Sequence, residues 1–370
     1  MKVLVTGGAG FIGSFIVDEL VRKGHSVTIF DNLNPQVHLT GELPDYINKK
    51  ARFVKGDVRD YDSFKKVVLD SEIIFHKAAM VGVGQSQYEI KNYIDVNISG
   101  TANLLDIVAN NKNNVKKIIV ASSMSTYGEG MYKCSKCGNV KPPLRTLENV
   151  EGGKWDFNCP CCDSILKPIP TPESTPQACN NIYAISKKTQ EEMVITFGQT
   201  YKIPTVAFRY FNVYGPRQSL SNPYTGVAAI FMSRIKNNHK PVIFEDGNQS
   251  RDFVSVHDIV QANMLAMEKS EADYEIFNVG TGKSVSISQV AETLAELYGK
   301  KIKPELTGQF RKGDVRHCYS SIAKIKAVLG YKPKVDFKDG MKELIEWARN
   351  AEAIDKFDEA KKELESKGLA

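Results

Sequence analysis

The run Lys2-Val3-Leu4-Val5-Thr6 passes directly into Gly7-Gly8-Ala9-Gly10-Phe11-Ile12-Gly13, and this junction constrains the fold more than any other feature of the chain. An apolar strand, a glycine-rich turn and a helix with Phe15, Ile16, Leu20 and Val21 on one stripe form the opening of a parallel βαβ unit. Glycines suit that turn because backbone must pass close to a ligand's phosphates at a helix N-terminus, where free N–H groups and the helix dipole favour an anion. Further runs rich in Val, Ile and Phe recur at 26–30, 51–54, 72–76, 116–120, 204–209 and 274–279. Their near-continuous hydrophobicity means both faces are covered. The pattern predicts an α/β fold, a doubly wound parallel sheet with a smaller mixed lobe after residue 209.

Composition removes other classes. Among 370 residues, 49 basic and 43 acidic side chains leave a net charge of +6 without Lys/Arg blocks, so nucleic acid is not an expected partner. No stretch reaches the roughly eighteen apolar residues of a membrane span, so no membrane partner is expected and the chain is read as cytoplasmic. Seven cysteines, an odd number without a signal-like start, argue against a disulfide framework.

Two further features carry chemistry. Asp31 closes the second strand about twenty residues beyond the glycine turn, where a carboxylate accepts both ribose hydroxyls of a dinucleotide and repels a 2′-phosphate; NAD is expected rather than NADP. Tyr183 and Lys187 stand four apart, on one face of a helix. A lysine ammonium and a positive nicotinamide ring are expected to lower the phenol from its usual pKa of about 10, which would make Tyr183 a general base.

The GxxGxxG spacing of Gly7, Gly10 and Gly13, combined with this YxxxK pair, resembles the extended short-chain dehydrogenase/reductases, the NAD-dependent epimerase/dehydratase family, over nearly the whole chain. The resemblance implies cofactor contacts at Gly7, Gly10, Phe11, Ile12, Gly13, Asp31, Asn32, Asp57, Val58, Ala78, Ala79, Asn97, Tyr183, Lys187 and Tyr210. It makes Ser123 the third catalytic residue, bridging the substrate oxygen and Tyr183. It places a nucleotide-diphosphate sugar against Val83, Ser123, Asn212, Arg251, Arg311 and Asp314. The family's 4,6-dehydratases carry an acid two residues after the serine or threonine; Met124 and Ser125 follow Ser123 here, so elimination of water is not expected. Val81 departs from the lysine of the family's galactose epimerases. The implied activity is nucleotide-sugar C4 epimerisation, with stretches 122–130 and 217–229 similar to the dTDP-L-rhamnose 4-epimerases and UDP-glucose 4-epimerase the alternative. Helices 101–110 and 188–199 resemble those that pair in the family's homodimers.

Tyr183 follows Ser123 by sixty positions, more than the family's usual spacing, and the excess contains Cys134-Ser135-Lys136-Cys137 and Cys159-Pro160-Cys161-Cys162. Two such knuckles match a structural Cys₄ zinc ribbon held by Cys134, Cys137, Cys159 and Cys162, with Cys161 surplus and Trp155 and Phe157 as its small core. A zinc ribbon also admits a second reading, an NAD-sensing adapter that presents it to a partner. Residues 129–176 hold six basic and six acidic residues, and metal-bound thiolates add negative charge, which disfavours a phosphate partner. The expected division is 1–128, 177–209 and 254–280 for the dinucleotide; 129–176 for the ribbon; 210–253 and 281–349 for the sugar nucleotide; and 350–370 as a solvated helical extension.

Overall fold

A computed structural model describes residues 1–311 and 313–369; Lys312, within the Arg311–Asp314 motif, and Ala370 lie outside the described residues. Seven parallel strands form the central sheet: β1 (Lys2–Thr6), β2 (Ser26–Asp31), β3 (Arg52–Lys55), β4 (Ile73–His76), β5 (Lys117–Ser123), β6 (Thr205–Tyr210) and β7 (Glu275–Val279). Their order is β7-β6-β5-β4-β1-β2-β3. Each of the seven apolar runs became one of these strands, as expected for segments buried on both faces. Helices α1 (Phe11–Arg22) and, later, α6 (Val256–Glu268) cover one face; α2 (Tyr61–Leu69), α3 (Gly100–Asn110) and α4 (Ile182–Tyr201) cover the other.

Strand order reverses between β1 and β4, so their C-terminal ends open a crevice at a topological switch point. Thr6 and His76 pair across it in register. Thr6 Oγ1 accepts the N–H groups of Lys77 and Ala78 and donates to His76 Nδ1 at 2.9 Å, while His76 Nε2 meets Thr101 Oγ1 at 3.1 Å. Burial lowers this imidazole to about 3, so it serves as a neutral clamp in the core.

A second lobe has its own apolar core, in which α5 (Val227–Lys236), α7 (Ile287–Tyr298) and α8 (Phe337–Asn350) pack through Met232, Ile235, Leu294, Met341 and Leu344. The cysteine-bearing insertion is a three-stranded antiparallel sheet of Gly138–Val140, Met131–Cys134 and Lys167–Ile169. Its core is Tyr132, Leu166, Cys134 and Cys159, with Phe157 edge-on to Tyr132 at 5.3 Å. Trp155, expected in that core, is not part of it; its indole lies back over Gly153, whose left-handed φ of +77° turns the chain there.

One local expectation is extended and one corrected. The helix expected over 101–110 is led by a π-helical turn, Ile94–Ser99, that contains Asn97 and continues into α3. The C-terminal helix α9 (Phe357–Ser366) is not solvated on all sides, because Ala360 and Leu364 are buried. Among the described residues no helix is long and apolar enough to cross a membrane.

Candidate active site

The cavity begins at the start of α1. Gly10 caps this helix without any side-chain hydrogen bond, which leaves the first N–H groups free for an anion. Gly7 and Gly13 are glycines by necessity: a Cβ on Gly7 would meet the Ala78 backbone at 2.8 Å, and one on Gly13 would stand 2.1 Å from the Gly7 carbonyl. The Asp31 carboxylate is fixed at the end of β2 by the Ala9 N–H at 3.0 Å and the Leu33 N–H at 2.9 Å. Burial would raise the Asp57 carboxyl, but hydrogen bonds from Arg59 and Asn32 outweigh it and hold the group down to about 2. These features fit a dinucleotide diphosphate at the helix end and a nucleoside beyond it.

Tyr183 and Lys187 project from α4, whose N-terminus is capped by Asn181 accepting the Ala184 N–H at 2.8 Å. Ser123 is the last residue of β5. Its Oγ accepts from Ser125 N–H at 3.2 Å and Ser125 Oγ at 2.9 Å, and it faces the Tyr183 phenol. All three catalytic candidates are buried. Lys187 Nζ donates to the Ala121 carbonyl at 2.7 Å and to Gln190 Oε1 at 2.8 Å. The expected lowering of the phenol is not what the protein alone provides: burial raises Tyr183 above its ordinary value, and the hydrogen bond with Ser123 opposes this. Burial also lowers Lys187 to about 7, since no carboxylate among the described residues pairs with its ammonium.

The second lobe closes the cavity with cations. Arg251 is held by the carbonyls of Ser250 at 2.8 Å, Arg316 at 3.2 Å and Val315, and forms no carboxylate ion pair among the described residues. Arg311 pairs with Asp314 at 2.8 Å and lies over the Phe244 ring. Three buried side-chain oxygens without partners, Asn212 Oδ1, Gln218 Oε1 and Gln249 Oε1, belong to residues on the same wall. Unspent acceptors and a carbonyl-held guanidinium fit a ligand with hydroxyls and phosphates.

Every residue assigned from the sequence to cofactor, substrate or catalysis lines this one cavity, with a single exception. Asn97 lies behind the wall, fully buried, bonded to Met80 N–H and C=O and to Ser186 Oγ, so it anchors the 77–80 turn to α4. Sequence reasoning passed over Gln218, Gln249 and Lys77. Gln249 stands two residues before Arg251 and Gln218 within the 217–229 stretch; Lys77 precedes the cofactor candidates Ala78 and Ala79, and folding places its ammonium 3.1 Å from Tyr210 Oη and over the Phe75 and Phe208 rings.

Away from this cavity, the Sγ atoms of Cys134, Cys137, Cys159 and Cys162 lie within 4.8 Å of one another, with Cys161 outside the group. Four thiolates about 2.3 Å from a central zinc would stand roughly 3.8 Å apart, so the donor set fits a tetrahedral ion. The knuckle N–H of Lys136 points at Cys134 Sγ at 3.4 Å. The insertion is joined to the second lobe by buried charges. Glu129 accepts the backbone N–H groups of Arg316 and His317, Arg145 reaches Glu245 at 2.8 Å, and Arg316 spans Asp156, Glu245 and Asp246.

A Rossmann-type switch-point crevice, a Ser–Tyr–Lys group and a cationic second lobe define a dinucleotide-dependent enzyme of anionic substrates. Residues 3–146 match the model of the NAD dependent epimerase/dehydratase family, and 165–344 that of GDP-mannose 4,6 dehydratase. The latter match begins beyond Ser123–Ser125, where an eliminating acid would stand. The chain is 35% identical to a dTDP-L-rhamnose 4-epimerase of Burkholderia thailandensis, over 94% of each. It shares 34% identity and a TM-score of 0.77 with a UDP-glucose 4-epimerase of Thermotoga maritima solved with UDP-glucose, covering 94% of this chain and 99% of that one. A UDP-glucose 4-epimerase of Thermus thermophilus in complex with NAD matches at 31% identity and a TM-score of 0.74, over 95% and 100%. The chain belongs to the NAD-dependent epimerase/dehydratase family, among its nucleotide-sugar epimerases.

Proposed function

We propose that the protein inverts C4 of a nucleotide-linked sugar, with dTDP-L-rhamnose as its substrate. The observation that carries this reading is the placement of Ser123, Tyr183 and Lys187 in one cavity with the glycine turn at one end and Arg251 and Arg311 at the other. NAD bound at that turn supplies reversible hydride acceptance at the sugar's C4. Tyr183 Oη takes the C4 hydroxyl proton and later returns it; Ser123 Oγ holds the sugar oxygen against the phenol; Lys187 sets the charge beside it. Arg251 and Arg311 bind the diphosphate, and Asn212 takes a hydrogen bond on its unpartnered Oδ1. Asp31 selects NAD over NADP.

Met124 and Ser125 leave no acid to expel water after oxidation, which supports epimerisation over dehydration. UDP-glucose is the second reading, favoured by the likeness to the Thermotoga maritima enzyme. Zinc at the four cysteines is a structural ion, since four thiolates leave no open position for chemistry. The protein works as a cytoplasmic homodimer, joined through α3 and α4, where Ile185 and Tyr201 are exposed.

The test is incubation of the purified protein with dTDP-L-rhamnose, UDP-glucose and related UDP- and dTDP-sugars, with C4 configuration read by NMR. Interconversion of dTDP-L-rhamnose with its C4 epimer is expected. Turnover of UDP-glucose alone replaces the substrate, and dehydrated product refutes the reaction.

A further inference from the structure

Helix α9 has no part in the reading above, yet Phe357, Ala360, Lys361 and Leu364 line the same cavity. Its position along that cavity follows from contacts. Leu364 covers Gly84 so closely that a Cβ there would stand 3.3 Å from Leu364 Cδ2. The 82–86 segment beneath it is tied to Tyr93, whose Oη donates to Gln85 Oε1 at 3.1 Å and whose ring lies edge-on to Tyr183 at 6.4 Å. On the opposite side, Tyr224 packs its Cβ against Gly82 and bonds Glu363 of α9 at 3.0 Å and Tyr88 at 2.6 Å. The helix therefore bridges the 82–86 segment, which reaches Tyr183 through Tyr93, and the Tyr224 loop.

Its approach is held from outside the cavity. Ile354 N–H donates to Ser221 Oγ at 2.9 Å, Asn237 donates to the Ala353 carbonyl at 2.8 Å, and Arg234 pairs with Asp355 and Asp358 beneath the Phe357 ring. Such anchoring exceeds what a solvated tail needs.

We propose that α9 is a positioning wall that retains the oxidised sugar between the two halves of the reaction; this rests on the 4-epimerase reading. In that reaction the C4 hydrogen leaves as hydride to NAD⁺ and the hydroxyl proton goes to Tyr183, which leaves a 4-keto sugar anchored through its nucleotide, with only the Ser123 and Tyr183 hydroxyls on its C4 oxygen. That sugar must turn over before hydride returns to its other face. A wall built of directed hydrogen bonds would pin one orientation, whereas Phe357, Ala360 and Leu364 offer an apolar surface that confines the ring and lets it rotate. The one charge on this face, Lys361, is paired with Glu365 at 3.7 Å.

Loss of the wall lets the keto sugar escape while its hydride stays behind as NADH, and the enzyme stalls. Two variants test this: a chain ending at Asn350, and the full chain with Leu364→Asp. Each is checked for folding by circular dichroism and for bound dinucleotide, then given dTDP-L-rhamnose or UDP-glucose. The expected result is a rise in bound NADH, followed by its near-ultraviolet absorbance, with free 4-keto nucleotide sugar in the supernatant. Release per turnover should increase about tenfold or more, the scale set by uncovering one leucine side chain. Folded, NAD-loaded variants that match the intact enzyme in kcat, KM and NADH level overturn the wall and leave the epimerase reading standing. Failure of the intact protein to epimerise either sugar overturns that reading and the wall with it.

Discussion

Replacing Arg316 by methionine keeps the aliphatic stem and removes the charge that joins the insertion to the second lobe. The guanidinium is 1% exposed and touches Asp156 at 2.8 Å, Glu245 at 3.0 Å and Asp246 at 2.6 Å. Asp156 and Asp246 are 61% and 31% exposed, so water takes over most of their solvation and their share is small. Glu245 is 1% exposed and would keep Arg145 as its remaining guanidinium partner. Breaking one side of a buried charge network costs about 3–5 kcal/mol, and the Arg316→Met loss belongs at the lower end because Arg145 remains. Arg22→Ala is the control: its pair with Glu19 is held mostly in water and should leave the urea midpoint nearly unchanged. Urea unfolding of both variants measures the difference. The acid limb gives a second readout. Burial would raise Asp246, but hydrogen bonds from Arg316 and Asn248 hold it down to about 2, so its contribution is present above about pH 4 and is lost as pH falls towards 2. Arg316→Met should flatten that limb. Substrate KM should rise while NAD affinity stays, because the Val315 and Arg316 carbonyls position Arg251. A loss below about 1 kcal/mol with an unchanged acid limb refutes the reasoning.

Tyr183→Phe should lower kcat more than about a hundredfold while the protein still purifies with NAD, and near-normal epimerisation contradicts the assigned base. Lys187, lowered by burial to about 7, gives up its proton in the folded state well before the unfolded chain does near 10.4, so stability of the dinucleotide-free protein rises with pH across that window. Lys187→Met should lessen this rise, measured as urea midpoints from pH 7 to 10; an identical slope in both proteins excludes the assignment. Elemental analysis should find one zinc per chain, and its absence from protein purified without chelator removes the ribbon. In a folded Cys134→Ser, Cys137→Ser variant, loss of zinc should raise substrate KM more than it weakens NAD binding; unchanged KM reduces the insertion to decoration.

Much of the fold was legible because its signals are local. Runs such as 2–6 and 116–120 are near-continuously apolar and read as parallel sheet without any partner in view. The glycine turn and the Tyr183–Lys187 pair were likewise written in spacing, and Cys134 to Cys162 needed only two knuckles. What stayed hidden depends on distant chain. Glu129 and Arg316 are 187 positions apart and neither has a neighbour pattern that announces burial. Phe357 and Leu364 stand seven apart in α9, a helical spacing that does not tell that Leu364 covers Gly84. The raised phenol of the protein without its dinucleotide was hidden for the same reason: a YxxxK motif gives the lysine's position along a helix, whereas the depth at which Tyr183 sits in the core beside Tyr93 is set by distant chain.

That burial ties stability to ligand binding. Lys187, Lys77 and Arg251 all face the cavity without a carboxylate ion pair among the described residues, and burial, together with the Lys187 charge, drives Lys77 far below the ordinary lysine range. The two lysine ammonium groups disfavour the bare folded chain, since each has lost water without gaining a counter-ion. On the function proposed above, diphosphates would supply the missing charge, one at the helix end and one against Arg251, and their binding would offset a cost already built into the fold. The same cations that weaken the empty protein therefore raise its preference for anionic ligands. A neutral replacement such as Lys77→Met should follow suit, stabilising the dinucleotide-free protein in urea while weakening its hold on NAD; a variant that is both less stable and equally tight would place Lys77 in packing alone.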